Sequence, residues 1–373
     1  MVTALGRASV TGAVRDAAAA GMTALVLATV SDFAVLRPDP LTGLRAYRDF
    51  AAGEAYADHR RQLNGIRQAV AAADAEVATS AAELDRAAAG GGTVVLLGCE
   101  GGDFLEGDLR RLEEARSDGI TVLTLVHYRP NQIGDVQTEP PVHGGLSPFG
   151  RAVVAECNQL GILIDCAHAS FETTVAALEA SDQPVIISHG QLAHPDSTHP
   201  RLLTTAHAVA VASAGGLIGA WPVGLTSRSL ADLGTEIIRL TEAVGPGQVA
   251  VGTDLDGNYQ PVLTSYHQFP DLARLLDGHG LPAAHIRQIL GGNAAALLTR
   301  IRPLRRARPA PSHALGAGQQ PAAASAMPDR AGWIPTRSTG RPQCMTPTTQ
   351  DPNTTARQAN SRGHRSYRND ARK

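Results

Sequence analysis

Glu100, His127, His168, His189 and Asp254 each close a short run of β-forming apolar residues. The runs read VVLLGCEGG, ITVLTLVH, LGILIDCAH, PVIISH and VAVGTDLDG. One apolar run ending in a polar residue means little, because a strand must end in something. Five in series, each ending in His, Asp or Glu, form a pattern that packing alone does not require. In a parallel α/β barrel the C-terminal strand ends make the face that carries chemistry. Two imidazoles and carboxylates at one mouth suit Zn²⁺ or a similar divalent ion. A carboxylate can bridge two ions through its two oxygens, and two close metals can polarise a carbonyl and activate water together. Taken singly, each residue reads as readily as a hydrogen-bonded histidine or a helix-capping acid. The set reads as a metal site. His127, followed by Tyr128-Arg129, is a ligand or a donor to an oxyanion. Arg201, in HPRLL, offers a bidentate fork to a carboxylate, and equally fits a surface loop.

The elements that must position these residues alternate along the chain. Helices are expected at 9–20, 54–73, 80–89, 105–117, 148–159, 171–180, 204–213, 230–244, 270–278 and 282–299. Gly21 and Gly119 stand where helix C-caps belong, and Ser147-Pro148 supplies an N-cap and first helical residue. Strands are expected at 24–30, 94–99, 120–126, 161–166, 184–188, 216–220 and 248–253, with loops at 33–50, 128–146 and 190–203. Strands alternating with helices mean βα units and a parallel sheet. Seven strands fall one short of a (β/α)₈ TIM-type barrel, and the chain opens on what reads as the helix before the second strand.

Composition narrows the function classes. The chain has 373 residues, 43% of them apolar, and a net charge of −2, which argues for neither a nucleic-acid nor a membrane partner. Residues 302–373 carry twelve arginines and Lys373 against three aspartates. With their Pro, Ser, Thr and Gln content and no apolar periodicity, they read as a disordered tail after a catalytic domain at 1–301. Four cysteines without CxxC spacing indicate buried thiols in a reducing compartment. No signal peptide, membrane span or lipid anchor is legible, so the cytoplasm is the expected location.

The order of motifs resembles the membrane dipeptidase (renal dipeptidase) family of zinc peptidases. GCEGG, LVHYRPNQIGD, GRAVVAECNQLGILIDCAH, PVIISH, HPRLL, GTDLDG and GGN follow one another as they do there, over about residues 9–301. The resemblance implies an amidohydrolase-type (β/α)₈ barrel that holds two zinc ions and hydrolyses dipeptides. It implies that Glu100 bridges both metals, that His168 and His189 bind the second, and that His127 binds substrate and stabilises the tetrahedral intermediate. Arg201 would hold the dipeptide carboxylate, and Asp254 would lie beside the first zinc and carry the proton from water to the leaving amine.

One departure stands out. The family opens on a strand ending in His-x-Asp, which completes the first zinc site. Here no histidine precedes His59, which lies in the helical stretch AYADHRRQL. On this reading the first strand and its ligands are absent, and one or two metal ions remain to be held. Either the start lies too far downstream, or the barrel is incomplete and prone to form a homodimer through its open edge. A non-catalytic protein that binds a metal or small peptide is the rival reading, and another amide or lactone is a third.

Overall fold

The structure, a computed structural model, describes residues 2–3, 10–90, 92–255, 257 and 259–301. The expected tail at 302–373 lies outside the described residues, as does Asp256. The chain divides into two units, Met1–Ser312 and His313–Lys373.

The apolar runs become a curled parallel sheet. Its strands are β1 (Val2–Thr3), β2 (Ala24–Val30), β6 (Val94–Glu100), β7 (Ile120–Thr124), β8 (Leu163–Asp165), β9 (Val185–Gly190), β10 (Ile218–Ala220) and β11 (Val249–Val251), hydrogen-bonded in that order. Every residue of β6 is buried, as expected of a parallel strand covered on both faces. Helices α1 (Val10–Ala19), α2 (Glu54–Ala72), α3 (Ala81–Gly90), α4 (Arg110–Ser117), α5 (Pro148–Leu160), α6 (Phe171–Ala180), α7 (Thr205–Ser213), α8 (Leu230–Val244) and α9 (Phe269–Gly278) alternate with the strands. The α/β class and the seven expected strands are present. Among the described residues no ladder joins β1 to β11.

Four differences have physical causes. A strand does precede β2: Val2 and Thr3 pair in parallel with Leu27 and Ala28, so the expectation of none before it is corrected. A second two-residue strand, β5 (Glu76–Val77), pairs with β6, and segments this short carry no periodicity to read. The expected loop at 33–50 contains a hairpin, β3 (Leu36–Asp39) with β4 (Gly43–Ala46). The Asp39 carboxylate accepts from the Leu41 and Thr42 N–H groups, both at 2.9 Å, and so builds its turn. The expected helix at 282–299 is broken into α10 (Ala283–Arg287), a π turn over Gln288–Gly292 and α11 (Asn293–Arg300). Two adjacent glycines in that turn weaken helix propensity.

Caps fall where the sequence puts them. The Ser147 hydroxyl accepts from the Gly150 N–H at 2.9 Å with Pro148 in the first helical turn, and Gly21 and Gly119, just past α1 and α4, take φ 76° and 84°.

Candidate active site

Register explains how residues scattered over the chain meet. Val30 pairs with Glu100, Glu100 with Thr124, Thr124 with Asp165 and Asp165 with Ile186, in one row across five strands. Glu100 belongs to that row. His127, His168 and His189 each stand three residues beyond it, and Asp254 stands three residues beyond Val251, the last residue of β11. The shared offset of the three histidines, the place of Glu100 in the row and that of Asp254 just past β11 bring all five to one end of the sheet.

Glu100, His168 and His189 come together there, fully buried, with one ligand atom from each within 4.8 Å of the others. His168 Nε2 lies 3.1 Å from Glu100 Oε1 and 3.0 Å from His189 Nε2, and His189 Nε2 lies 3.7 Å from the same Glu100 oxygen. His127 Nε2 approaches Glu100 Oε1 to 3.9 Å, and Asp254 Oδ2 approaches His189 Nε2 to 4.0 Å. His168 and Asp254 both adopt left-handed backbone, at φ 67° and 44°. For residues other than glycine this is costly, and such strain concentrates at functional sites.

Burial and neighbouring charges set the direction of each shift. It pushes the Glu100 carboxyl up, His127 opposing and Asp254 and Asp165 adding to the rise. It drives His168 and His189 well below the ordinary histidine range, with the Arg201 cation adding to the effect. For His127 burial acts downward, but the Asp32 and Glu100 carboxylates outweigh it and raise the ring to about 9. Two imidazoles with facing nitrogens, and a carboxylate whose Oε2 is buried without a partner among the described residues, are a donor set that fits a divalent cation.

The surroundings orient these side chains. Asp165 is a hub rather than a ligand. Its Oδ2 accepts from Thr124 Oγ1 at 2.7 Å and Ser188 Oγ at 2.6 Å, and its Oδ1 from the Ser188 and Ala167 N–H groups at 2.8 and 2.9 Å. Ser188 Oγ in turn lies 3.0 Å from His189 Nδ1. Arg201 is buried, not on the surface. One guanidinium nitrogen donates to Gln137 Oε1, and the cation sits 5.0 Å from the Trp221 ring centroid. Arg201 Nε and Nη2 and Trp221 Nε1 are buried donors with no protein acceptor among the described residues. Unfilled buried donors of this kind suit an anionic ligand group.

The description "Membrane dipeptidase (Peptidase family M19)" matches residues 36–312, most of the chain. The chain belongs to the membrane dipeptidase family. "Dipeptidase tcpJ" of Claviceps purpurea is 27% identical over 61% of this chain and 55% of the relative. "Dipeptidase aclJ" of Aspergillus oryzae is 30% identical over 54% of this chain and 50% of the relative. The matches thus span about half the length of these relatives. A metallo peptidase from Rhodobacter sphaeroides, solved with a phosphinate mimic of the dipeptide L-Ala-D-Ala, superposes with a TM-score of 0.65. That pair is 22% identical over 77% of this chain and 89% of the other, a likeness of fold.

Within this membrane dipeptidase fold, all six residues singled out from the sequence lie at the same sheet end. Sequence reading did not find Asp32, Gln137 or Trp221. Asp32 and Trp221 do stand just past apolar runs, which is the same signal that marked the others. Nothing in the sequence ties either to its partner. For Gln137 no signal exists in the sequence.

Proposed function

We propose that this chain is a metallo-dipeptidase, with zinc as the metal and a dipeptide as substrate. The observation that carries the reading is the buried convergence of Glu100, His168 and His189 at the sheet's C-terminal mouth. These three would hold an ion. When bound, the ion supplies Lewis acidity toward the scissile carbonyl and lowers the pKa of water.

The chain's own residues do the rest. Arg201 receives the substrate's C-terminal carboxylate on its unfilled N–H groups. His127 donates from Nε2 to the oxygen that becomes negative as the carbonyl carbon turns tetrahedral. Asp254 accepts the proton of the attacking water and passes it to the departing amine, so one water is consumed and one amine and one carboxylate are released. The cytoplasm is retained as the proposed location.

The test is metal content per chain, followed by assay of the metal-replete protein on a panel of dipeptides. Stoichiometric zinc and release of free amino acids are expected. Folded, zinc-loaded protein that releases none overturns the reading. A dipeptide that raises the melting temperature without being cleaved would assign binding without turnover instead.

A further inference from the structure

The buried carboxylate of Asp32 has no place in the roles assigned so far. It lies two residues past β2 and is fully buried. Its Oδ1 is 2.6 Å from His127 Nδ1, and its Oδ2 accepts from the Tyr128 backbone N–H at 3.0 Å. Both oxygens are thus spent on two consecutive residues of the neighbouring loop. A carboxylate taken out of water is costly unless paired and hydrogen-bonded, so this arrangement is strongly determined.

The neighbourhood is shaped to allow it. Gly101, at φ +87°, lies between the two strand ends. A Cβ there would sit 3.2 Å from Ser31 Cβ and 3.4 Å from His127 Cβ. The other buried acid nearby, Asp103, is engaged elsewhere, by Arg129 Nη1 at 2.8 Å and Asn131 Nδ2 at 3.3 Å. Ser31 is held as well: its N–H donates to the Glu100 carbonyl at 2.8 Å, and its hydroxyl accepts from the Phe104 N–H at 2.8 Å. Asp32 therefore rests on a braced strand end, and His127 rests on Asp32.

We infer that Asp32 is the positioning residue of His127: it keeps a proton on Nδ1 and aims Nε2 at the reacting carbonyl. An acceptor at Nδ1 fixes which ring nitrogen carries the proton. An acceptor held at Nδ1 also fixes the ring plane, so Nε2 stays aimed into the site, 3.9 Å from Glu100 Oε1. The inference rests on the dipeptidase reading for its kinetic consequence alone; the tautomer does not depend on it.

Asp32→Asn is the discriminating variant. The Tyr128 N–H can only donate, so it takes the asparagine carbonyl and leaves the amide NH₂ facing Nδ1. That reverses the bond and puts the ring proton on Nε2. Long-range ¹H–¹⁵N spectra of histidine-labelled protein read this directly, with the His127 resonances assigned by their loss in His127→Gln. Protonated Nδ1 in the wild type and unprotonated Nδ1 in Asp32→Asn are expected. An unprotonated Nδ1 in the wild type, or one still protonated in the variant, overturns the inference, and the wild-type spectrum alone suffices if the variant does not fold. On dipeptides the zinc-replete variant should lose about 10–100-fold in kcat, with KM and zinc content within about twofold of wild type. An unchanged kcat with a reversed tautomer removes the catalytic role. Wild-type protein that cleaves no dipeptide sinks the dipeptidase reading, while the spectra still decide the role of Asp32.

Discussion

His168 Nε2 and His189 Nε2 face each other at 3.0 Å, with Glu100 Oε1 3.1 Å from the first. Two imidazole nitrogens at this distance can share one proton, but burial and the Arg201 cation hold both rings well below their ordinary protonation range. Lone pairs directed at one point are then left to a cation. Replacing either histidine by alanine should lower zinc affinity by more than the roughly 100-fold upper end seen for residues that only orient ligands. Titration with a zinc-sensitive dye checks it, and stoichiometric zinc retained by both variants would place the metal elsewhere.

Ser188 gives a graded version of the same test. Its hydroxyl connects the Asp165 hub to His189 Nδ1 at 3.0 Å, so it sets the ring's rotation without facing Nε2. Ser188→Ala should keep the fold and cost about 10–100-fold in zinc affinity or activity. A loss as large as that of His189→Ala would mean that the serine supports the fold of the site, not the ring alone.

Much of this site was legible because parallel strands hidden on both faces produce continuous apolar runs, and a run ending in His, Asp or Glu marks the sheet's open end. The offset of three residues from the register row, shared by His127, His168 and His189, follows from pairing between strands and cannot be read from any one of them. Asp32 ends a run as clearly as Glu100 does, yet its partner lies 95 positions away, a distance no local pattern spans. Arg201 stood equally as a clamp or a surface residue. Its burial removes the surface reading, and burial is a property of the fold. The β3–β4 hairpin reads as loop in the sequence because its residues are half-exposed or exposed and rich in turn formers.

Arg201 should be tested with paired substrates. Its guanidinium holds Gln137 with one nitrogen and has two further buried donors, a forked geometry that a lysine ammonium cannot reproduce. A charge-assisted hydrogen bond is worth about 1.5–3 kcal/mol, so Arg201→Lys should lose roughly 10–150-fold in kcat/KM on a free dipeptide. On the corresponding dipeptide amide, wild type and variant should converge. An equal loss on both substrates would remove the carboxylate from the account.

The metal-free protein should show a distinctive pH dependence. The folded pKa of His127 is raised to about 9 from 6.5, with burial opposing and Asp32 and Glu100 prevailing. Its stabilisation is complete below 6.5 and lost as the pH climbs to about 9. Glu100, raised from 4.5 chiefly by burial, acts with the same sign, because ionising it in the folded state costs more than in the unfolded chain. His168 and His189, both lowered, withdraw stability only below about 6.5. The melting temperature of chelator-treated protein should therefore fall between pH 6.5 and 9. Added zinc should raise it more at pH 8.5 than at 6.5, because the cation replaces the proton on Glu100. A flat or rising profile in the chelated protein would show that these buried charges are compensated in another way.

Gly252, between β11 and Asp254, tests how tightly the ligand strands must pack. A Cβ at this position would run into the Ser188 carbonyl oxygen, and would lie 2.8 Å from the carbonyl carbon and 3.1 Å from His189 Cα. These are backbone atoms, so nothing flexible can yield, and relief must come from shifting the segment that carries His189. Overpacking of this kind costs about 1–3 kcal/mol, and a misplacement of about 1 Å at a reacting group can cost roughly 100-fold in rate. At Gly98, in β6, the closest contact of an added Cβ is Val26 Cγ1 at 3.2 Å, a side-chain atom, and the nearest backbone atom is the Val122 carbonyl oxygen at 3.5 Å. Gly252→Ala should thus lower both the melting temperature and zinc affinity, while Gly98→Ala should cost less of each. If the two variants proved equal in thermal melts and zinc titrations, the close approach of β11 to Ser188 would not be what holds His189 in place.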